Sequence, residues 1–190
     1  VGANDDLIFD GTSMAFNRQG QIVGRLPSFQ TGLTVVDFDP SQRDLHPGTV
    51  WPLPTTENES IWAALVLGVR DYAHKCGFRK AVIGLSGGID SALVLTIATA
   101  ALGQDNVLGV LMPCHSIPAD ARLGRLVAET FDIPLVAVDI SPVYDAFERA
   151  LPSSDHAMAY ANIKPRLRMT ALYYLAQSHH YLVLGSGNKS

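Results

Sequence analysis

From Lys80 onward the chain alternates short apolar runs with longer helical stretches, and few folds accept that rhythm. Ala81–Leu85, Val107–Met112, Leu135–Ile140 and Tyr181–Gly185 read as strands. They are nearly continuous apolar runs, the pattern of strands covered on both faces. Between them, Ser91–Leu102, Ala119–Phe131, Pro142–Leu151 and Ile163–His179 read as helices. Pro165 falls in the first turn of the last one, where a missing N–H costs least. Strand–helix alternation of this length predicts an α/β domain: a parallel sheet with helices on both faces.

The first forty residues follow a different grammar. Leu7–Phe9, Ser13–Phe16, Gln21–Val23 and Leu33–Val36 read as short strands, and Asn17-Arg18-Gln19-Gly20 as a hairpin turn between two of them. Pro40, Pro47, Pro52 and Pro54 then mark an extended connector. Ile61, Ala64, Leu65, Val69 and Tyr72 fall at helical spacing and define one apolar helix face. The expected division is a β segment at 1–40, a linker at 41–58 and the α/β domain at 59–190. Both ends are expected to be cut ends: the chain begins at Val1 and stops at Ser190 inside what reads as a motif.

Composition narrows the function classes. The net charge is −4, which offers no general nucleic-acid surface. No apolar run reaches the roughly 18 residues of a membrane span. Cys76 and Cys114 make neither a metal-ligand pattern nor a disulfide framework, so a reduced cytoplasmic compartment is expected.

Chemistry concentrates in Gly84-Leu85-Ser86-Gly87-Gly88-Ile89-Asp90-Ser91, between the first strand and first helix of the α/β domain. In open α/β sheets ligands bind outside the carboxyl ends of the strands. Gly87 and Gly88 let a backbone approach an anion, and the following helix offers free N–H groups and the positive end of its dipole. Ser86 and Ser91 add hydroxyl donors. Asp90 would repel a bare polyphosphate, so its carboxylate makes sense as a ligand to Mg²⁺. The loop has no Lys and is not a GxxxxGK[ST] phosphate loop, so γ-phosphate hydrolysis is not the expected reaction.

The string Ser86-Gly87-Gly88-Ile89-Asp90-Ser91 resembles the pyrophosphate-binding loop of N-type ATP pyrophosphatases, which cleave ATP between its α and β phosphates. Three further segments narrow the likeness to NAD⁺ synthetases: Val110-Leu111-Met112-Pro113 with Ser116 and Asp120-Ala121, then Asn162 to Met169, then Leu182 to Ser190. Val1 to Ser13 resembles a late β segment of the nitrilase fold, which precedes the synthetase in glutamine-dependent members of the family.

The resemblance implies an adenine nucleotide α hydrolase-like (PP-loop) domain preceded by part of a nitrilase-like α/β sandwich. It implies ATP-dependent amidation of deamido-NAD⁺ through an adenylated intermediate, with ammonia drawn from glutamine. It assigns Gly84, Leu85, Ser86, Gly87, Gly88, Ile89, Asp90, Ser91 and Ser186 to ATP, Asp90 to Mg²⁺, and Asn162 and Arg166 to deamido-NAD⁺. It also implies homo-oligomers. The glutaminase nucleophile is expected upstream of Val1 and a metal-binding acid beyond Ser190, so this chain alone is expected to be inactive. Arg168 stays open between a ligand contact and a solvated helix charge. His115 stays open between a loop ligand to adenine and a surface residue, with the surface reading preferred, and His179-His180 read as partners of a helix dipole rather than of a metal. Two other readings stay open: another PP-loop enzyme with a different acceptor, and a nucleotide-binding module without turnover.

Overall fold

Two hydrophobic clusters lie on opposite faces of a four-stranded parallel sheet in the computed structural model. All residues except 5, 6, 117, 154 and 188–190 are described, residues 118–120 by backbone alone. The chain divides into two compact units, Val1–Tyr72 and Ala73–Ser190.

In the first unit β1 (Gly2–Asn4) pairs antiparallel with β2 (Leu7–Phe9), and β3 (Met14–Phe16) with β4 (Ile22–Arg25). The turn between β3 and β4 forms where the sequence places it. Asn17 Oδ1 accepts from the N–H groups of Gln19 and Gln21, and Gly20 N donates to Asn17 O. The strand expected at Leu33–Val36 does not form, and Leu33 and Val35 are 92% and 78% exposed. That segment runs past β4 without joining its ladder, because residues 48–51 take the backbone positions beside it. Gly48 N donates to Val23 O, Arg25 N to Thr49 O, and Trp51 N to Arg25 O.

The proline-rich stretch is therefore not a free connector. It folds back on β4 and carries its own two-residue pairing, β5 (Phe38–Asp39) with β6 (Asp44–Leu45). Helix α1 (Glu57–Lys75) follows, four residues longer at its start than the apolar periodicity indicated. Thr56 Oγ1 accepts from Glu59 N, and the Glu59 carboxylate accepts from Thr55 N and Oγ1. This reciprocal arrangement begins the helix ahead of its first apolar residue. It also holds the Glu59 carboxyl below its ordinary pKa, chiefly through the Thr55 hydroxyl.

The second unit contains β7 (Ala81–Leu85), α2 (Ile89–Leu102), β8 (Val107–Leu111), α3 (Pro118–Thr130), β9 (Leu135–Ala137), α4 (Ser141–Ala150), α5 (Ala157–Ala161), α6 (Ile163–His179) and β10 (Leu182–Leu184). The strand order is β10-β7-β8-β9, all parallel. Each strand and long helix of the expected series appears within a few residues of its predicted bounds. Helix α5 was not foreseen, and β9 stops three residues early. Beyond it the backbone still bonds to its neighbour, Val138 N to Leu111 O and Ile140 N to Pro113 O.

Period-two alternation assigns the faces. Val82, Leu108 and Val110 pack with Ile140, Tyr144, Leu172 and Ala176 on the α4–α6 side. Ile83, Leu85, Val107 and Leu111 pack with Leu95, Ala98 and Ala128 on the α2–α3 side. Ile83, Leu95 and Val110 are fully buried, and each such side chain contributes about 1.5–3 kcal/mol of burial. His180 closes α6 in the left-handed conformation, its N–H donating to Ala176 O and its ring stacked on Phe78 at 5.0 Å.

Gly124 lies inside α3, where a glycine costs about 1 kcal/mol relative to alanine. A Cβ there would lie 2.6 Å from Leu111 Cδ2, 3.5 Å from Leu85 Cβ and 3.8 Å from Gly87 N. The missing side chain lets α3 approach both the sheet and the loop that follows β7. Gly124→Ala should therefore lower stability by about 1–3 kcal/mol despite its better helix propensity. Chemical denaturation measures this, and a gain in stability would show that α3 can simply shift outward.

Candidate functional site

The sheet reverses direction at β7: the chain goes next to β8 on one side and returns through β10 on the other. A crevice opens at such a point, outside the carboxyl ends of the strands. A cavity of about 520 Å³ lies there, lined by the ends of β7, β8 and β10 and by the first turns of α6.

Of the loop from Ser86 to Ser91, Ser86 lines the cavity and the remaining residues lead away from it into α2. Gly87 takes φ 82°, a left-handed value that side-chain-bearing residues rarely adopt. Gly88 precedes α2 with φ −82° and ψ 159°. Ser91 is 2% exposed and braces the loop from inside: its hydroxyl donates to Gly88 O at 2.9 Å and receives Ser86 N at 3.3 Å. Ser86 Oγ lies 3.2 Å from Ser91 Oγ and accepts from Gly88 N at 3.2 Å. Among the described residues no side chain caps α2, so its first N–H groups and positive dipole end are left for an anion.

Asp90 is exposed in the first turn of α2 and has no hydrogen bond or ion pair among the described residues. A single uncommitted carboxylate suits Mg²⁺, which binds through one or two carboxylates and completes its shell with phosphate and water. No group of three or more His, Cys, Asp or Glu side chains able to hold a metal occurs among the described residues. An ion at Asp90 would therefore depend on substrate oxygens.

The expected site residues separate into distinct positions. Gly84, Leu85, Ser86 and Ser186 line the cavity. Leu85 is itself 5% exposed and belongs to the core, so it offers the cavity little beyond its backbone and one edge. Ile89 projects into solvent at 83% exposure. Asn162 closes α5 and opens α6, and its carbonyl receives Arg166 Nη1 at 2.7 Å. Neither Asn162 nor Arg166 lines the cavity. Arg168 does, with Pro165 and Met169, and its Nε donates to Met112 O at 3.1 Å. Asn188-Lys189-Ser190 lie outside the described residues.

The wall opposite the loop was only partly legible. Met112, Pro113 and Ser116 form it after β8, and Ser116 Oγ accepts from Cys114 N at 3.1 Å. Cys114 is 2% exposed, and burial pushes its thiol above the ordinary pKa, so it serves as a core residue. A Cβ on Gly124 would come within 3.8 Å of Gly87 N, and the sequence signal for this close packing is a glycine inside a helical pattern.

Similarity to known proteins agrees with this architecture. The family model for NAD synthase matches residues 61–190. This chain belongs to the NAD synthase family. The glutamine-dependent NAD(+) synthetase of Synechocystis sp. is 43% identical over 195 residues, which take in all of this chain and 35% of that protein. The NH(3)-dependent NAD(+) synthetase of Pyrobaculum aerophilum is 41% identical over 125 residues, 64% of this chain and 47% of that protein.

Among solved structures of the family, the glutamine-dependent NAD+ synthetase of Acinetobacter baumannii, in complex with ADP, superposes with a TM-score of 0.91 at 34% identity. It covers all of this chain and 37% of that one. The chain thus spans about a third of the length of the glutamine-dependent relatives it matches. Its sheet and loop are those of the PP-loop α/β fold of NAD synthetases. No helix among the described residues is long and apolar enough to cross a membrane.

Proposed function

We propose that this chain supplies the ATP-binding core of a glutamine-dependent NAD⁺ synthetase, a ligase that adenylates the nicotinate carboxylate of deamido-NAD⁺ and replaces AMP with ammonia. The observation that carries the reading is the loop Ser86–Ser91 beside a cavity at the switch point of the sheet, followed by a helix that no side chain caps among the described residues.

A carboxylate is a poor electrophile, and transfer of AMP to its oxygen turns that oxygen into a good leaving group. This chemistry asks little covalent work of the protein and much positioning and charge stabilisation. The backbone of Gly87 and Gly88, the hydroxyl of Ser86 and the start of α2 would hold the pyrophosphate oxygens. Ser91 is spent on the loop itself and acts by keeping it in shape. Asp90 would hold Mg²⁺, which when bound neutralises phosphate charge. Gly84, Met112, Pro113 and Ser186 would enclose the nucleoside.

Arg166 and Asn162 remain proposed contacts of deamido-NAD⁺, and Arg168 presents a cation to the cavity. Glutamine as ammonia source belongs to the same proposal, and the likeness to glutamine-dependent relatives supports it; a reduced cytoplasmic setting and a homo-oligomer are proposed with it. The test offers the full-length protein ATP, Mg²⁺ and ammonium with deamido-NAD⁺, xanthosine monophosphate, aspartate or citrulline. Turnover with deamido-NAD⁺ alone, with NAD⁺ identified by mass, is expected. Turnover with another acceptor would keep the loop chemistry and discard the substrate.

A further inference from the structure

His115 is neither a cavity-lining residue nor an idle surface one. It sits between Pro113 and Ser116, both of which line the cavity, and takes φ 50°, an uncommon left-handed value for a residue with a side chain. Three attachments tie it to α4. Its N–H donates to Ser141 Oγ at 3.1 Å, its Nε2 lies 2.7 Å from Asp145 Oδ1, and its ring meets Tyr144 edge-on at 6.0 Å.

The residues it reaches are themselves anchored. Ser141 donates through N and Oγ to Asp139 Oδ1, and the Ser141 hydroxyl is the chief reason the Asp139 carboxyl stays below its ordinary pKa. Tyr144 is 8% exposed and packs in the core between the sheet and α6. Lys164 of α6 lies over its ring at 5.1 Å, one residue before Pro165 of the cavity lining. A half-exposed His–Asp contact alone would be worth little. Here it closes a framework joining α4 to the loop after β8 and the start of α6, and the latter two line the cavity through Pro113, Ser116 and Pro165.

We propose that His115 and Asp145 form a positioning pair that holds the Pro113–Ser116 wall in the conformation that accepts the nucleoside part of ATP. The proposal rests on the ATP-binding reading above. The pair touches no substrate and acts through Pro113 and Ser116. The loop Ser86–Ser91 has its own bracing through Ser91 and does not depend on it.

This separation makes the pair testable by calorimetric binding of two probes, ATP and inorganic pyrophosphate, each with Mg²⁺, to the full-length protein. In His115→Ala and Asp145→Ala, ATP affinity should fall roughly tenfold, the scale of one lost charge-assisted hydrogen bond. Pyrophosphate affinity should not change. The double variant should lose no more than either single one, since both remove the same interaction. His115→Gln, which can still donate to Asp145, should recover most of the loss. Unchanged ATP affinity in both single variants would overturn the proposal, as would equal losses for ATP and pyrophosphate, which would mark a general disturbance of the fold. A parent protein that binds neither probe would instead refute the ATP-binding reading and remove the basis of this one.

Discussion

Asp90→Asn should slow Mg²⁺-dependent release of pyrophosphate from ATP by about a thousandfold, because a metal's charge stabilisation in phosphoryl chemistry amounts to several kcal/mol. The same substitution should leave metal-free ATP binding intact or improve it, because it removes a negative charge from beside the phosphates. The opposite signs follow from the position of Asp90, exposed at the start of α2 with no partner among the described residues. A carboxylate that merely stabilised the helix start would give a different result: a small loss of stability of about 0.3–1 kcal/mol and no dependence of the binding change on metal. Rates with Mg²⁺ and equilibrium binding in chelator distinguish the two. Equal loss in both would assign Asp90 to the loop's shape.

The second large effect lies next to it. Gly87→Val places a β-branched side chain at φ 82°, a conformation costing L residues about 1–2 kcal/mol even when unbranched. The loop has two responses, and both are damaging. Keeping its conformation, it stores the strain and presents a side chain where an anion's approach needs bare backbone. Relaxing, it loses the bonds from Ser86 and Gly88 that depend on the turn. ATP affinity should fall about a hundredfold, equivalent to about 2.7 kcal/mol. The melting temperature should fall by only a few degrees, since the loop lies outside both core clusters. Retention of full affinity would mean that Gly87 matters only to strand–helix packing.

What the sequence disclosed followed from how much each segment depends on its surroundings. The parallel sheet was legible because Ala81–Leu85 and Val107–Leu111 are apolar at every position, a pattern required only of strands covered on both sides. The loop was legible because Gly87 and Gly88 are needed for backbone geometry whatever surrounds them. Leu33–Val36 misled for the opposite reason. It has strand propensity, but β-pairing depends on a free partner, and residues 48–51 occupy the place beside β4.

Arg166 and Arg168 could not be ranked from spacing, because two residues' separation on a helix rotates a side chain through more than half a turn. Only the fold shows Arg168 lining the cavity while Arg166 turns back to Asn162 O. His115 was unreadable for a similar reason: its partners Ser141 and Asp145 lie 26 and 30 residues away, with no local signal connecting them.

The most direct test of the central claim is the identity of the phosphorus products when the full-length protein turns over ATP with Mg²⁺, ammonium and deamido-NAD⁺, followed by ³¹P NMR. A loop that grips the β and γ phosphates and leaves the α phosphate to be attacked predicts AMP and pyrophosphate in equal amounts. ADP and orthophosphate would contradict it, because they would mean that the reaction runs at the γ phosphate and that the Ser86–Ser91 loop does not do what its geometry implies.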